Sequence, residues 1–196
     1  MSSPLSASTL TERSQARGEP GWLTDARAAA FASYRALDPP EWRRTDLTKL
    51  DVEALAQRAA TTHAPPRALA KAKGVLHLPL ALAAREHPDL VKGLLSAASA
   101  SDDKWTRLHH ALWSDGTLLF VERGVEVADP ITLDAPHGRD GAIERDVLVL
   151  ERASKAHVVL RARGASKGTL SMDGVDVGVR DGASLSLASL ECSDRL

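Results

Sequence analysis

The 196-residue sequence predicts an α+β chain: helices in the first half, then strands wound as a β-solenoid. Three observations carry this. A seven-residue motif recurs at 121 (Val-Glu-Arg-Gly-Val-Glu-Val), 150 (Leu-Glu-Arg-Ala-Ser-Lys-Ala) and 179 (Val-Arg-Asp-Gly-Ala-Ser-Leu). Its small central residues, Gly124, Ala153 and Gly182, are 29 positions apart (153 − 124 and 182 − 153). A period of that size marks stacked supersecondary units. Around the motif, apolar residues alternate: Val125 and Val127, then Val175, Val177 and Val179, then Leu185 and Leu187. That is the period-2 signature of strands with one inward face. Before residue 115 the periodicity is instead helical.

Residues 1–20 are Ser/Thr-rich and are expected to be a flexible tail. They lack an apolar core segment, which excludes a secretory signal. Residues 21–115 are expected to form the helical domain. Leu23, Ala26, Ala30, Tyr34 and Leu37 make a helical stripe that stops at Asp38-Pro39-Pro40. Asp51 is placed to cap a second helix through Ala59, and Ala64-Pro65-Pro66 then interrupts the chain. Residues 75–80 read as a short strand that Pro79 confines to an edge or end. A helix follows near Pro88–Leu95. Another is capped by Ser101 with Asp102 and Asp103 in its first turn, bears the stripe Trp105, Leu108 and Leu112, and is closed by Ser114-Asp115-Gly116.

Residues 116–196 are expected to be an incomplete β domain. Leu118–Val121, Val147–Leu150 and Val158–Leu160 are continuous apolar runs, as in strands buried on both faces. Residues 137–141 (His-Gly-Arg-Asp-Gly) read as a loop. The sequence reaches Leu196 soon after the third repeat with no polar capping segment. The last strands are therefore expected to present open edges and an uncovered Val/Leu row, and to self-associate.

Composition narrows the function classes. Net charge is −1, so no field gathers nucleic acid or anionic membrane, and 4% aromatic content argues against base-stacking platforms. No apolar run spans a bilayer. The single cysteine, Cys192, excludes an internal disulfide and a cluster or zinc site built from this chain's cysteines, and fits a reducing cytoplasm. No phosphate loop, Gly-x-Ser-x-Gly, His-Glu-x-x-His or Cys-x-x-Cys occurs, so no catalytic or metal-binding residues are assigned and cofactor-binding residues stay unknown.

Several segments together resemble the SufB/SufD family of iron–sulfur cluster assembly scaffolds. They are Gly-Val-Leu-His-Leu-Pro-Leu (74–80), Ala-Arg-Glu-His-Pro-Asp-Leu-Val-Lys (84–92), the run from Asp102 to Gly116, and the run from Phe120 to Ile131. Upstream, residues 19–27 and 41–47 look like the opening segments of SufD. The resemblance implies an N-terminal helical domain, then the first coils of a right-handed parallel β-helix. It also implies a non-catalytic scaffold role in the SUF complex, with a SufB-like subunit and a SufC-like ATPase as partners in the full-length context. The cluster would be assembled by the complex, with ATP used by the partner ATPase and no cofactor bound by this chain alone. A SufB-like chain would carry Glu-Gly-Cys near Leu160–Gly164, where this one has Arg161-Ala162-Arg163-Gly164; that favours the SufD side. Family members are longer, and their ATPase dock and cluster-building residues lie in parts that this sequence does not contain.

The remaining candidates have plain structural readings. His109 and His110 are adjacent on a helix and diverge by about 100°, so they do not form an i, i+4 metal pair; His109 is expected to be a hydrogen-bonded structural residue. Cys192 reads as a small buried hydrophobe. Trp22, Trp42, Trp105 and Trp113 read as core anchors of the helical part. Glu122-Arg123, Glu151-Arg152 and Arg180-Asp181 read as solvated corners, and Asp102-Asp103 as helix-start acids. The alternatives to a scaffold are a β-solenoid interaction module and a carbohydrate- or acyl-group enzyme. The enzyme would need a ladder of acids or histidines on one face, which the repeats do not supply.

Overall fold

The computed structural model describes residues 5–43, 46–47, 49–61, 69–97, 103–135, 141–163 and 168–192. Six helices and seven strands occur among them. The helices are α1 (Ala7–Ala16), α2 (Gly21–Ala36), α3 (Val52–Ala59), α4 (Leu80–Glu86), α5 (Pro88–Ala97) and α6 (Lys104–Leu112). The strands are β1 (Val75–Pro79), β2 (Thr117–Val121), β3 (Ile131–Ala135), β4 (Gly141–Leu150), β5 (Lys155–Arg163), β6 (Leu170–Val179) and β7 (Ser184–Cys192).

The expected flexible tail is instead a docked helix from Ala7. Ser6 and Thr9 form a reciprocal capping box: the Ser6 hydroxyl accepts from the Thr9 amide, and the Thr9 hydroxyl accepts from the Ser6 amide. At the other end Gly18 takes a φ of 63°, with Gly18 N–H donating to Gln15 and Glu19 N–H to Ser14, the double bond pattern of a Schellman stop. Leu5 and Leu10 are buried in the helical core. Two of the residues that suggested disorder, Ser6 and Thr9, are the capping pair.

α2 and α3 follow the sequence pattern, and the Asp51 carboxylate accepts from Ala54 N–H at 2.9 Å. The α6 cap is Asp103, whose side chain takes the Thr106 amide and hydroxyl. Ser101, Asp102, Ala64-Pro65-Pro66, residues 137–140, Gly164 and Leu196 lie outside the described residues. α4 was not foreseen, because its Ala-rich sequence follows the 75–80 strand without a break. Lys104 ties α6 to the C-terminal end of α2, its ammonium donating to the Tyr34 carbonyl at 2.9 Å and the Leu37 carbonyl at 2.5 Å. A cation there complements the helix dipole.

The chain is α+β, with the helices first and parallel strands after. One sheet has the order β1-β2-β4-β6 and the other β3-β5-β7. β1 is the antiparallel edge of the first sheet, as Pro79 requires; every other pairing is parallel. From β2 onward the chain visits the two sheets alternately. Most partners are 29 residues apart, as for Leu118 with Val147 and Lys155 with Ser184 (147 − 118 and 184 − 155). The corners coincide too. Gly124 N–H donates to Arg152 C=O at 3.0 Å, Ala153 N–H donates to Asp181 C=O at 3.1 Å, and Gly124, Ala153 and Gly182 all take positive φ.

β4 is buried along its whole length because it has apolar layers on both faces. Val147 and Val149 face the helices, in the same cluster as Leu23, Leu108 and Trp113. Leu148 and Leu150 face the second sheet, among Leu119, Val121, Ile131 and Val158. Alternation is intact, but both faces are apolar, which is why the run reads as continuous. Each such fully buried side chain contributes about 1.5–3 kcal/mol. The helices and strands therefore share one wall, and the first sheet is the surface on which the polar groups described next are assembled.

Candidate functional site

A buried polar cluster lies where α2 and α6 meet β4. Arg27 sits inside the apolar stripe of α2, and 4% of it is exposed. Its Nε and Nη2 donate to the two Glu19 carboxylate oxygens, both at 2.8 Å. Its Nη1 donates to the carbonyls of Ala111 and Trp113, and the guanidinium lies 4.0 Å over the Trp113 ring. Arg17 donates to the Trp113 and Ala60 carbonyls. Two arginines thus close the C-terminal end of α6, where helix carbonyls lack partners. Burial lowers the Arg27 pKa, opposed by Glu19.

α6 is fixed to the sheet by His109. Its Nε2–H donates to the Glu144 carbonyl at 2.7 Å, and its ring packs on Gly174 so closely that a Cβ there would sit 2.3 Å from Cε1. Burial chiefly lowers its pKa to about 4, with the Glu144 bond opposing. His110 is lowered to about 3, by burial first and then by Arg145, His109 and Arg107. Arg145 is 2% exposed and its Nε donates to Asp176 on β6 at 2.6 Å. The neighbouring Asp146 accepts from the Thr117 amide and hydroxyl one strand away. Gly116 is obligatory beside this cluster, because at its φ of 139° a Cβ would lie 1.8 Å from the Arg145 carbonyl oxygen.

The sequence-predicted residues fall as follows. His109 is the structural histidine expected, more deeply buried than half. Among the described residues no group of three or more His, Cys, Asp or Glu could hold a metal ion. Cys192 is the last residue of β7, paired in register with Arg163. Trp113 is a core anchor, and Trp22 and Trp105 pack against the core. Trp42 is not: it is 48% exposed, because residues 38–43 form no regular element that could carry it inward. The three charged corners are at the surface, where Arg180 approaches Glu151 at 3.8 Å. Sequence reasoning passed over Arg27, Arg107 and Arg145. The available signal was a charge at a stripe position for Arg27, four residues after Leu23, and charges set within a long strand pattern for Arg145.

Comparison with known proteins places residues 59–133 on the SufBD protein N-terminal region. That segment runs from the end of α3 through β1, α4–α6 and β2 to β3. An iron–sulfur cluster assembly SufBD family protein of Mycobacterium tuberculosis is 30% identical over 107 residues, covering 53% of this chain and 13% of that protein. A chloroplastic SufBD family protein of Arabidopsis thaliana is 24% identical over 204 residues, covering 76% of this chain and 36% of the relative. The iron–sulfur cluster assembly protein SufD of Bacillus subtilis is 35% identical over 83 residues, covering 41% and 19%. The chain therefore spans well under half the length of these relatives. Among the described residues no helix is long and apolar enough to cross a membrane.

Proposed function

Because this chain belongs to the SufB/SufD family through its N-terminal region, we propose that it is the opening part of a non-catalytic, SufD-like scaffold for iron–sulfur cluster assembly. The observation that carries the reading is the coincidence of the matched segment, 59–133, with the elements that dock the helices onto the first parallel strands. In this reading the alternating passes between the two sheets are the first coils of a right-handed β-helix; the buried His109–Glu144 contact fixes the helical domain to those coils, and Arg27 with Glu19 ties α2 to the end of α6. The SufD-like assignment is supported by the likeness to the Bacillus subtilis protein and by Arg161-Ala162-Arg163-Gly164 standing where a SufB-like chain would carry a cysteine.

The mechanism is indirect. The chain supplies a rigid platform; a SufB-like subunit and a SufC-like ATPase act on the longer assembly, and iron and sulfide are its cargo. ATP is used by the ATPase. The reading places the protein in the cytoplasm, in keeping with its single cysteine. This chain alone is expected to hold no stable cluster, since one thiol stands where clusters take about four ligands. Self-association through the β6/β7 end belongs to the same reading.

The test is a chimera. Residues 1–196 replace the corresponding region of a SufD-type scaffold in a strain that depends on it, and cluster-dependent growth is measured. Growth restored by the chimera and not by a chimera carrying Gly116→Val supports the reading. A folded chimera that joins its partners yet fails to support growth defeats it.

A further inference from the structure

A cavity of about 390 Å³ opens between α2, α5 and α6 above β4. Three arginines, Arg27, Arg107 and Arg145, line it beside the neutral ring of His110, with Trp22 and Trp113 as flat walls. Two of these cations are neutralised locally, Arg27 by Glu19 and Arg145 by Asp176. Arg107 is not. It is 8% exposed, and among the described residues its guanidinium makes no hydrogen bond or ion pair; Nε is buried without an acceptor. Arg145 Nη2 is likewise buried without an acceptor. The one carboxylate among the lining residues, Asp25, is an exposed side chain of α2. Lys92 adds a further positive charge, its ammonium 6.0 Å over the Trp22 ring.

A buried guanidinium cannot shed its proton, so an uncompensated one is costly, and the fold tolerates it only where something supplies acceptors. Water would solvate Nε and Nη2 in part. A planar oxyanion would meet the fork of Arg107 with two parallel bonds and cancel the charge. The low pKa of His110, to which Arg145 and Arg107 contribute after burial, reports the same positive potential at the cavity wall. The cavity falls in the size range of small-molecule sites, about 300–1,000 Å³, and no such ligand is needed for the scaffold reading above.

We propose that this cavity binds a small-molecule oxyanion, a phosphate or a carboxylate, through Arg107 and Arg145. The inference stands apart from the family assignment.

Inorganic phosphate and succinate are titrated separately into the 1–196 chain by calorimetry, with ionic strength held constant by chloride. Saturable binding of either anion at about 10 mM or tighter is expected, and the anion that binds identifies the source of the oxyanion. Arg107→Gln should weaken binding at least tenfold, while melting at the same or a higher temperature in anion-free buffer, because it removes an uncompensated charge. Ala26→Leu fills the cavity from α2 without altering charge and should also weaken binding. Arg123→Gln, at an exposed corner, should bind as the parent does. No saturable binding of either anion, or binding as tight as the parent's by Arg107→Gln and by Ala26→Leu, overturns the proposal.

Discussion

Ala153 occupies the same corner as Gly182, one pass earlier, and does so with a φ of 59° against 68° for the glycine. It is the only non-glycine at positive φ among the described residues. The repeat therefore imposes a left-handed turn at a fixed place and accepts a side chain there at a cost. For an L-residue that conformation costs about 1–2 kcal/mol, whereas glycine pays about 0.5–1 kcal/mol more than alanine on folding. Ala153→Gly should thus raise stability by up to about 1 kcal/mol. Gly182→Ala should lower it by about 1 kcal/mol: its Cβ meets nothing closer than 4.0 Å, so the cost is conformational. Urea midpoints of the two variants, compared with the parent, check both signs.

Glycines of two other kinds give a sharper contrast. At Gly174 a Cβ would collide with the His109 ring, and at Gly93, an exposed position inside α5, it would meet nothing within 4 Å. Gly174→Ala should cost about 2 kcal/mol or more, by pushing His109 off the Glu144 carbonyl. Gly93→Ala should gain about 0.5–1 kcal/mol from helix propensity. Thermal melts suffice; a Gly174→Ala protein as stable as the parent would mean that α6 is not seated on β6 as described.

The Arg27–Glu19 pair should respond asymmetrically to loss of one member. Both side chains are nearly inaccessible, at 4% and 2%. Glu19→Ala leaves a buried guanidinium without its carboxylate and should cost about 3–5 kcal/mol. Replacing the pair together, Glu19→Leu with Arg27→Met, should recover much of that loss, although the Ala111 and Trp113 carbonyls then lose their donor. A double-mutant cycle in urea measures the coupling.

Acid sensitivity follows from the two histidines. Their folded pKa values are lowered to about 4 and about 3, below the ordinary value near 6.5. Between those limits the unfolded chain binds more protons than the folded one, so stability falls as pH drops below about 6.5, down to about 4 for His109 and about 3 for His110, and is unaffected by these groups well above 6.5. Each proton adds a slope of at most about 1.4 kcal/mol per pH unit. His109 faces Arg145, Arg27 and Asp176, and His110 faces Arg145 and Arg107. His110→Gln should flatten the acid limb of a stability–pH curve while leaving the pH 8 stability nearly unchanged. An unchanged slope would show that His110 is not buried as a neutral ring.

Legibility in the sequence followed physical scale. The corners at 124, 153 and 182 were readable because one conformation recurs at one interval. Caps at Asp51 and the edge position of Pro79 were readable because single residues enforce them. The slip in register was not: Ile131 pairs with Val158, 27 apart (158 − 131), although Glu126 bridges Lys155 at 29 (155 − 126). The first pass therefore holds two more residues in the stretch around Asp129-Pro130 than the second does between Lys155 and Val158. Insertions at a corner leave the strand pattern intact and so leave no periodic trace. The α2–α6–β4 cluster was hidden for another reason. Arg27 and Arg145 are far apart in the chain, and neither charge shows its buried partner until three elements are packed together around His109.

The β6/β7 end carries the last prediction. Among the described residues β6 is bonded only to β4, and β7 only to β5. Val175, Val177 and Val179 continue the inward row of Leu148 and Leu150, yet they are 36%, 40% and 47% exposed, and Leu187 on the facing strand is 43% exposed. Free N–H and C=O groups beside an uncovered apolar row are a template for another strand. A second copy of the chain can satisfy both at once, and each fully buried Val or Leu would contribute about 1.5–3 kcal/mol. Sedimentation of the 1–196 chain should show concentration-dependent oligomers. Val177→Asp should shift it toward monomer with little loss of stability, since the side chain is already partly in water. A parent chain that stays monomeric at high concentration would show that this end is not self-complementary.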